Sequence, residues 1–313
     1  MSPKAEDRKP APIVITGISG NLGGLLTRRL HTRHPIIGID RRPFEGKPKD
    51  VVHHRIDVRR RKAEDIFRAN RVGALVHLGL VHQPSRSGRA HRDQNVLGTM
   101  KLLEYCARYG VRKVVLLSSA YAYGAQPTNP NFLSEDAPLA ADLNTPEMRA
   151  LIEWDMYAQS FFWKHPHIET VILRPVHVVG KNVRNAPSNY LRLTHPPTLL
   201  GFDPMIQLLH EEDLLQAIAL ALEPGKRGVF NVVGPGEVPL SRALRELGRT
   251  PVPIPHFLAA PVLRQMWRLG LSAFFPGDLP HLKYQCMVDG SRARAELGFH
   301  PEHTLRETIR AIL

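Results

Sequence analysis

The sequence predicts an α/β protein, a doubly wound parallel sheet with helices on both faces and a smaller lobe from the C-terminal part of the chain. Three observations carry this expectation. Short β-branched runs alternate with amphipathic helical segments through the first half of the 313 residues. A glycine-rich turn joins the first run to the first helix, and after about residue 120 the regularity fades into loops rich in Pro, Asn and Asp. Strands that alternate with helices need crossover connections, and these cover both faces of a parallel sheet.

The runs PIVIT (12–16), PIIGID (35–40), VVHHRID (51–57), ALVHLGL (74–80) and KVVLLSS (113–119) read as five strands. Between them, Leu22, Leu26 and Leu30 form one apolar stripe at helical spacing, and Val96, Met100, Leu103 and Ala107 form another. A helix is expected over 146–164 and a strand in ETVILRP (169–175), and the sheet is completed by a strand near 228–233. The sheet domain thus spans 12–175. Residues 176–227 and 234–313 are left for a substrate lobe over the carboxyl ends of the strands, and residues 1–11, charged and Pro-rich, read as a disordered leader.

Composition bounds the function. A hydrophobic content of 43% supports a full core, and two cysteines, Cys106 and Cys286, are too few for a disulfide framework and point to a reducing compartment. The first residues lack the apolar stretch of a secretory signal, so the expected location is the cytoplasm. Forty-two Lys and Arg against 29 Asp and Glu give a net charge of +13, which attracts anions such as cofactor phosphates, a nucleotide-linked substrate or an acidic membrane surface. No nucleic-acid motif and no Cys/His metal spacing accompanies that charge. The segment FLAAPVLRQMWRLGLSAFF (257–275) carries Arg264 and Arg268 and so reads as a lid helix and not a membrane span. Trp267, Leu271, Phe274 and Phe275 beside those arginines also suit a lipid-like substrate or a peripheral membrane contact.

VITGISGNLGG (14–24) places Gly17, Gly20 and Gly23 after the first strand and at the opening of a helix. Glycines there permit a tight turn and close approach of backbone to a pyrophosphate, while the helix N-terminus offers amides and positive dipole to the anion. This spacing, with Asp40 ending the second strand, Asp57-Val58, HLGL (77–80), NVLGT (95–99), ILRPVHVVG (172–180) and QLLHEEDLLQAI (207–218), resembles the extended, epimerase/dehydratase branch of the short-chain dehydrogenases/reductases from about residue 12 to beyond 300. The resemblance implies a Rossmann-type fold, a nicotinamide dinucleotide and a nucleotide-sugar or hydroxylated lipid substrate. It also implies a homodimer formed through a two-helix face. The implied cofactor residues are Gly17, Gly20, Asn21, Leu22, Gly23, Asp40, Arg41, Asp57, Val58, Leu78, Gly79, Asn95 and Pro175. Asp40 suits the ribose diol of NAD, whereas Arg41 and Arg42 would accept the 2′-phosphate of NADP, so NAD is the first expectation and NADP stays open. His77, on a buried strand, reads as a satisfied core histidine.

The resemblance further implies a serine after strand five and a tyrosine–lysine pair one helical turn apart, in which the ammonium lowers the phenol's pKa. Ser119 matches the serine, four residues before Tyr123. The pair's positions fall near Glu147 or Met148 and near Leu151 or Ile152, none of them tyrosine or lysine. Tyr157 begins YAQSF, with Phe161 where a lysine belongs, and lies only 17 residues before Arg174; Lys164 is about 10 Å farther along the helix. The expected catalytic candidates are therefore Ser119, Tyr123 and Tyr157, with Tyr121, Arg184 and Arg192 as substrate contacts. Glu147, Glu153 and Asp155 read first as exposed helix charges, with a carboxylate base by a different route as the alternative. Two functions follow. One is a dinucleotide-binding protein with a noncanonical catalytic centre, acting as sensor, scaffold or altered enzyme. The other is a working epimerase or oxidoreductase in which another tyrosine replaces the usual acid. A basic membrane-associated binding module is a third reading.

Overall fold

The computed structural model describes residues 10–79, 92–141, 146–269 and 276–313. Most of the expected leader, Leu80 of the HLGL run, and Leu271, Phe274 and Phe275 of the lid lie outside the described residues, as do the side chains of Glu147, Trp267 and Arg268.

Seven parallel strands form the main sheet: β1 (Ile13–Thr16), β2 (Ile36–Asp40), β3 (Val52–Arg55), β4 (Ala74–His77), β5 (Lys113–Leu117), β6 (Glu169–Pro175) and β10 (Gly228–Val232), in the order β10-β6-β5-β4-β1-β2-β3. The order reverses between β1 and β4, which opens a crevice at the carboxyl ends of those strands. Alternation along each strand sends side chains to opposite faces. Ile13, Ile15, Val115 and Leu117 pack in one buried cluster, and Val14, Val114 and Leu116 pack in the other. Each such aliphatic side chain contributes about 1.5–3 kcal/mol by leaving water.

The helices between these strands are α1 (Asn21–Leu30), α2 (Arg61–Ala69), α3 (Gly98–Arg108) and α4 (Pro146–Lys164), and a single π-helical turn, Asp93–Leu97, runs into α3. Leu26 and Leu30 of the first stripe and Val96 and Leu103 of the second are buried, as their spacing requires. Beyond β6 the chain builds β7 (His177–Val179), α5 (Ala186–Arg192), β8 (Pro197–Leu199), β9 (Met205–His210), α6 (Glu211–Ala221), β11 (Glu237–Pro239), α7 (Leu240–Glu246), β12 (Val252–Ile254), α8 (His256–Leu269) and α9 (Leu305–Arg310). There β7, β9 and β11 form a small mixed sheet, β8 pairs with β12, and Leu191, Leu208, Leu244, Leu263 and Ile309 share a third buried cluster. Among the described residues no helix is long and apolar enough to cross a membrane.

A buried ionic network fixes α4 against the sheet. Arg174, 1% exposed at the end of β6, donates from Nε and Nη2 to the two oxygens of Asp155 at 3.0 and 2.6 Å, and Asp155 also accepts from the Ser118 hydroxyl at 2.5 Å. Asp155 is thus not the exposed helix charge expected from sequence: it is fully buried, because its turn of α4 faces Arg174. Glu153 pairs with Arg92. Removing the carboxylate alone leaves a guanidinium buried without its counter-charge, so Asp155→Ala should destabilise the fold by about 3–5 kcal/mol in denaturant unfolding, whereas a surface pair such as Arg68–Asp65 should contribute at most about 1 kcal/mol.

Candidate functional site

A cleft of about 620 Å³ opens at the carboxyl ends of β1, β2, β4, β5 and β6. Its floor at one end is the turn after β1. Gly17 has φ +74°, and a Cβ there would stand 2.8 Å from the backbone of Gly79; a Cβ on Gly23 would stand 2.3 Å from the Gly17 carbonyl. The turn is therefore built of glycine for two separate reasons, a left-handed backbone and crowding by the strand beside it. The side chain of Asn21 donates to the Asn182 carbonyl and ties the start of α1 to the loop after β7. Arg192 donates to the carbonyls of Val183 and Gly180 at 2.8 and 2.7 Å, and so shapes that same loop.

Two carboxylates line the middle of the cleft, each clasped by an arginine two residues on. Asp40 accepts from the Ser19 amide at 3.2 Å, from the Arg42 amide at 3.0 Å and from the Arg42 guanidinium at 3.3 Å. Burial opposes its ionisation, but the Arg42 hydrogen bonds and charge and the Ser19 amide together hold its pKa below the ordinary value. Asp57 accepts from Arg59 Nη2 at 2.7 Å and Nε at 3.0 Å, which lowers its pKa against the cost of burial. Under the cleft, His77 is enclosed between Thr16 Oγ1 at 2.5 Å and Thr99 Oγ1 at 2.8 Å, and burial pushes its pKa down to about 4. It is a neutral core histidine. Thr99 also receives the indole N–H of Trp154 at 2.6 Å, so the helices α3 and α4 share one buried hydroxyl.

All thirteen residues expected to hold a cofactor, from Gly17 to Pro175, line this one cleft, as do Ser119, Tyr121 and Arg184. Three expected site residues sit elsewhere. Tyr123 is buried; its hydroxyl donates to Asn231 Oδ1 at 2.8 Å and accepts from Arg174 Nη1 at 2.7 Å, and burial raises its pKa to about 12 despite that cation. Tyr157 packs against the buried cluster that also holds Ala150 and Trp154, one turn farther along α4 than the residues that reach the cleft. Arg192 spends its guanidinium on the two loop carbonyls. Among the described residues, the helix face that meets the cleft consists of Met148, Ala150, Leu151 and Trp154. Tyr109 and Lys113, four residues apart, do not meet: the phenol donates to Glu64 and the ammonium to Glu169 and the Glu223 and Lys226 carbonyls.

The inner end holds a group the sequence did not single out. Asp278 lines the cleft beside Tyr121, which stands 157 residues earlier in sequence, and shares a smaller cavity with His177, 101 residues earlier. Tyr121 rests on the rings of His177 and His281 at centroid distances of 5.1 and 4.2 Å. Only the fold brings these together; the one local signal is a lone acid in a stretch whose other charges, Arg264 and Arg268, are basic.

Comparisons with known proteins agree with this architecture. Residues 13–233 match the NAD dependent epimerase/dehydratase family. An uncharacterized protein of Mycobacterium tuberculosis is 32% identical over 316 residues, covering 96% of this chain and 82% of its own. The crystal structure of UDP-glucose 4-epimerase with UDP-glucose from Thermotoga maritima superposes with a TM-score of 0.76 at 20% identity, over 96% of this chain and 97% of that one. UDP-glucuronic acid 4-epimerase from Bacillus cereus, in complex with UDP-glucuronic acid and NAD, superposes with a TM-score of 0.73 at 18% identity, over 96% and 97%.

The crowding at the turn after β1 makes a measurable claim. Gly17 and Gly201 both have positive φ, but nothing lies within 4 Å of a Cβ at Gly201. Gly201→Ala should cost only the left-handed strain, about 1–2 kcal/mol, and Gly17→Ala should cost clearly more in thermal or denaturant unfolding. By the match over most of its length, the chain belongs to the NAD dependent epimerase/dehydratase family.

Proposed function

We propose that the protein binds NAD and works on a hydroxylated carbon of a nucleotide-linked sugar through a noncanonical catalytic centre. The carrying observation is the face of α4 across the cleft from Ser119. Its described residues are Met148, Ala150, Leu151 and Trp154, with no phenol or ammonium among them. A tyrosine–lysine pair on that face would supply both the proton-transfer group and the cation that tunes it.

The dinucleotide reading is supported by the turn after β1, by the acid ending β2 and by the family's own description. The pyrophosphate would lie over Gly17–Gly23, where the first amides of α1 have no helical partner and where Gly17 and Gly23 leave no room for a Cβ. Asp40 would accept from the adenosine ribose hydroxyls. Its carboxylate oxygens are shared with the Ser19 amide and with Arg42, a side chain about two-thirds exposed that can swing away to free them. Kept in place, the carboxylate repels a 2′-phosphate and favours NAD over NADP. Asp57 and Val58 would flank the adenine. When bound, the nicotinamide would supply a hydride acceptor; the protein's part is to hold the reacting hydroxyl near Ser119 and Tyr121 and to take its proton.

A nucleotide sugar is favoured over a lipid by the charge of the cleft and by the nucleotide sugars found in the structurally similar epimerases. Arg41, Arg42 and Arg184 line it, and each suits a phosphate better than an alkyl chain. Calorimetric titration with NAD and NADP tests the reading. NAD should bind more tightly, and Asp40→Ala should weaken it by about 10- to 100-fold, the loss of hydrogen bonds to a charged acceptor worth about 1.5–3 kcal/mol. Failure of any dinucleotide to bind, or an unchanged affinity in the variant, would refute it.

A further inference from the structure

We propose that Asp278 is the proton-accepting catalytic residue of the cleft. The inference rests on the dinucleotide reading above and names the group that takes over from a tyrosine–lysine pair. Among the described residues three carboxylates line the cleft, and two of them, Asp40 and Asp57, are held by Arg42 and Arg59. Asp278 is 8% exposed and has no hydrogen-bond partner among the described residues. A buried carboxyl without a partner is costly unless something completes it. It also borders a smaller cavity of about 40 Å³, shared with Tyr121, His177 and His281 and large enough to hold a water. His177 contributes a buried polar atom without a partner, Nδ1. Two incomplete groups around one small space mark the place where a ligand hydroxyl or a relaying water belongs.

The groups facing Asp278 divide cleanly by what they do at neutral pH. Burial raises the Tyr121 phenol well above its usual range, with the charge of Asp278 adding to the effect, and raises Tyr190 of α5 as well. Burial drives His177 of β7 down to about 4, and burial together with His177 drives His281 to about 3. All four stay neutral. Asp278 itself is pushed up to about 7 by burial, so it alone exchanges a proton in the range where the others are fixed. In the forward step a substrate hydroxyl gives its O–H proton to the Asp278 carboxylate, and the hydride of the same carbon passes to oxidised nicotinamide. The alcohol becomes a carbonyl, the dinucleotide is reduced, and Asp278 becomes the acid that returns the proton when the step reverses. Tyr121 is the neutral donor that holds the oxygen meanwhile.

The test pairs a measurement without substrate with one that includes it. Folded Asp278 keeps a proton that the unfolded chain releases above about 3.8, so its contribution to stability is complete below that pH and is lost as pH rises through about 7. Melting temperatures of the wild type should therefore fall between those limits relative to Asp278→Asn, and an infrared carboxylic-acid band should titrate near pH 7 in the wild type and vanish in the variant. With NAD bound and UDP-glucose, then UDP-glucuronic acid, as probes, single-turnover nicotinamide reduction should rise with pH through about 7. Asp278→Asn should lower that rate by roughly 10²- to 10⁴-fold and flatten the profile with NAD affinity unchanged, and Asp278→Glu should restore part of it. A carboxyl that titrates near 4, a variant with the wild-type rate and profile, or NAD binding without reduction by either sugar would overturn the proposal while leaving the dinucleotide site standing. A wild type that binds no NAD would instead sink the function on which the proposal rests.

Discussion

The ion pair between Arg174 and Asp155 sets the geometry on which the cleft depends. A guanidinium taken out of water must satisfy its donors, and Arg174 does so with the Asp155 carboxylate, the Tyr123 hydroxyl and the Glu135 carbonyl. Each partner lies on a different segment. Asn231 of β10 extends the network, accepting from Tyr123 and donating to the carbonyls of Leu133 and Asp289, while the Glu135 side chain accepts from the Asn231 amide. One buried cation thus joins α4, the turn after β5, two outer strands and a connection from the second lobe. Burial disfavours its charge, but Asp155 and Tyr123 more than compensate and raise its pKa.

That network also decides which residues face the cleft. Asp155 is locked to Arg174, and its neighbour Trp154 is locked to Thr99, so α4 has a single rotation about its axis. With that rotation, positions 148, 151 and 154, spaced by three, stand over the cleft, and Tyr157 one turn farther stands clear of it. The same reasoning removes Tyr123. Its phenol is consumed as a donor to Asn231 and an acceptor from Arg174, and a phenol with both functions engaged in the core is unfit to exchange protons with a substrate. Tyr121, two residues earlier on the same 3₁₀ turn, points the other way and lines the cleft.

The main sheet was legible because its signals are local and redundant. Buried parallel strands are runs of Val, Ile and Leu, and the helix from 146 to 164 and the strand from 169 to 175 match their expected bounds. The cofactor end was legible for a related reason: glycine spacing and an acid at a strand end each describe a short stretch of backbone. What stayed hidden depends on distant pairing. The strands β7, β8, β11 and β12 have three residues each, too short for a periodicity to show, and they exist because partners far along the chain complete them. Asp155 looked like a surface charge because its partner, Arg174, is 19 residues on and on another element. Asp278 carried no motif, and its surroundings come from the turn after β5 and from β7.

Charge is distributed along the cleft in a way that suits a long, anionic, jointed ligand. Around Asp40 and Asp57 the acids are matched by arginines, and Arg41 and Arg184 add positive charge that attracts anions. Toward Asp278 the arginines give way to Tyr121 and, in the smaller cavity beside it, to His177 and His281, all neutral through burial. A ligand whose phosphates are held at the first region and whose uncharged part reaches the second would find strong electrostatic anchoring far from the reacting atoms and a low-dielectric chamber around them. Binding energy from the remote charged part would then offset the desolvation of the reacting part, which is how a site with little charge of its own can still hold a polar group in place. In such a chamber a single ionising carboxyl has more influence than it would at the rim, because little solvent is present to screen it.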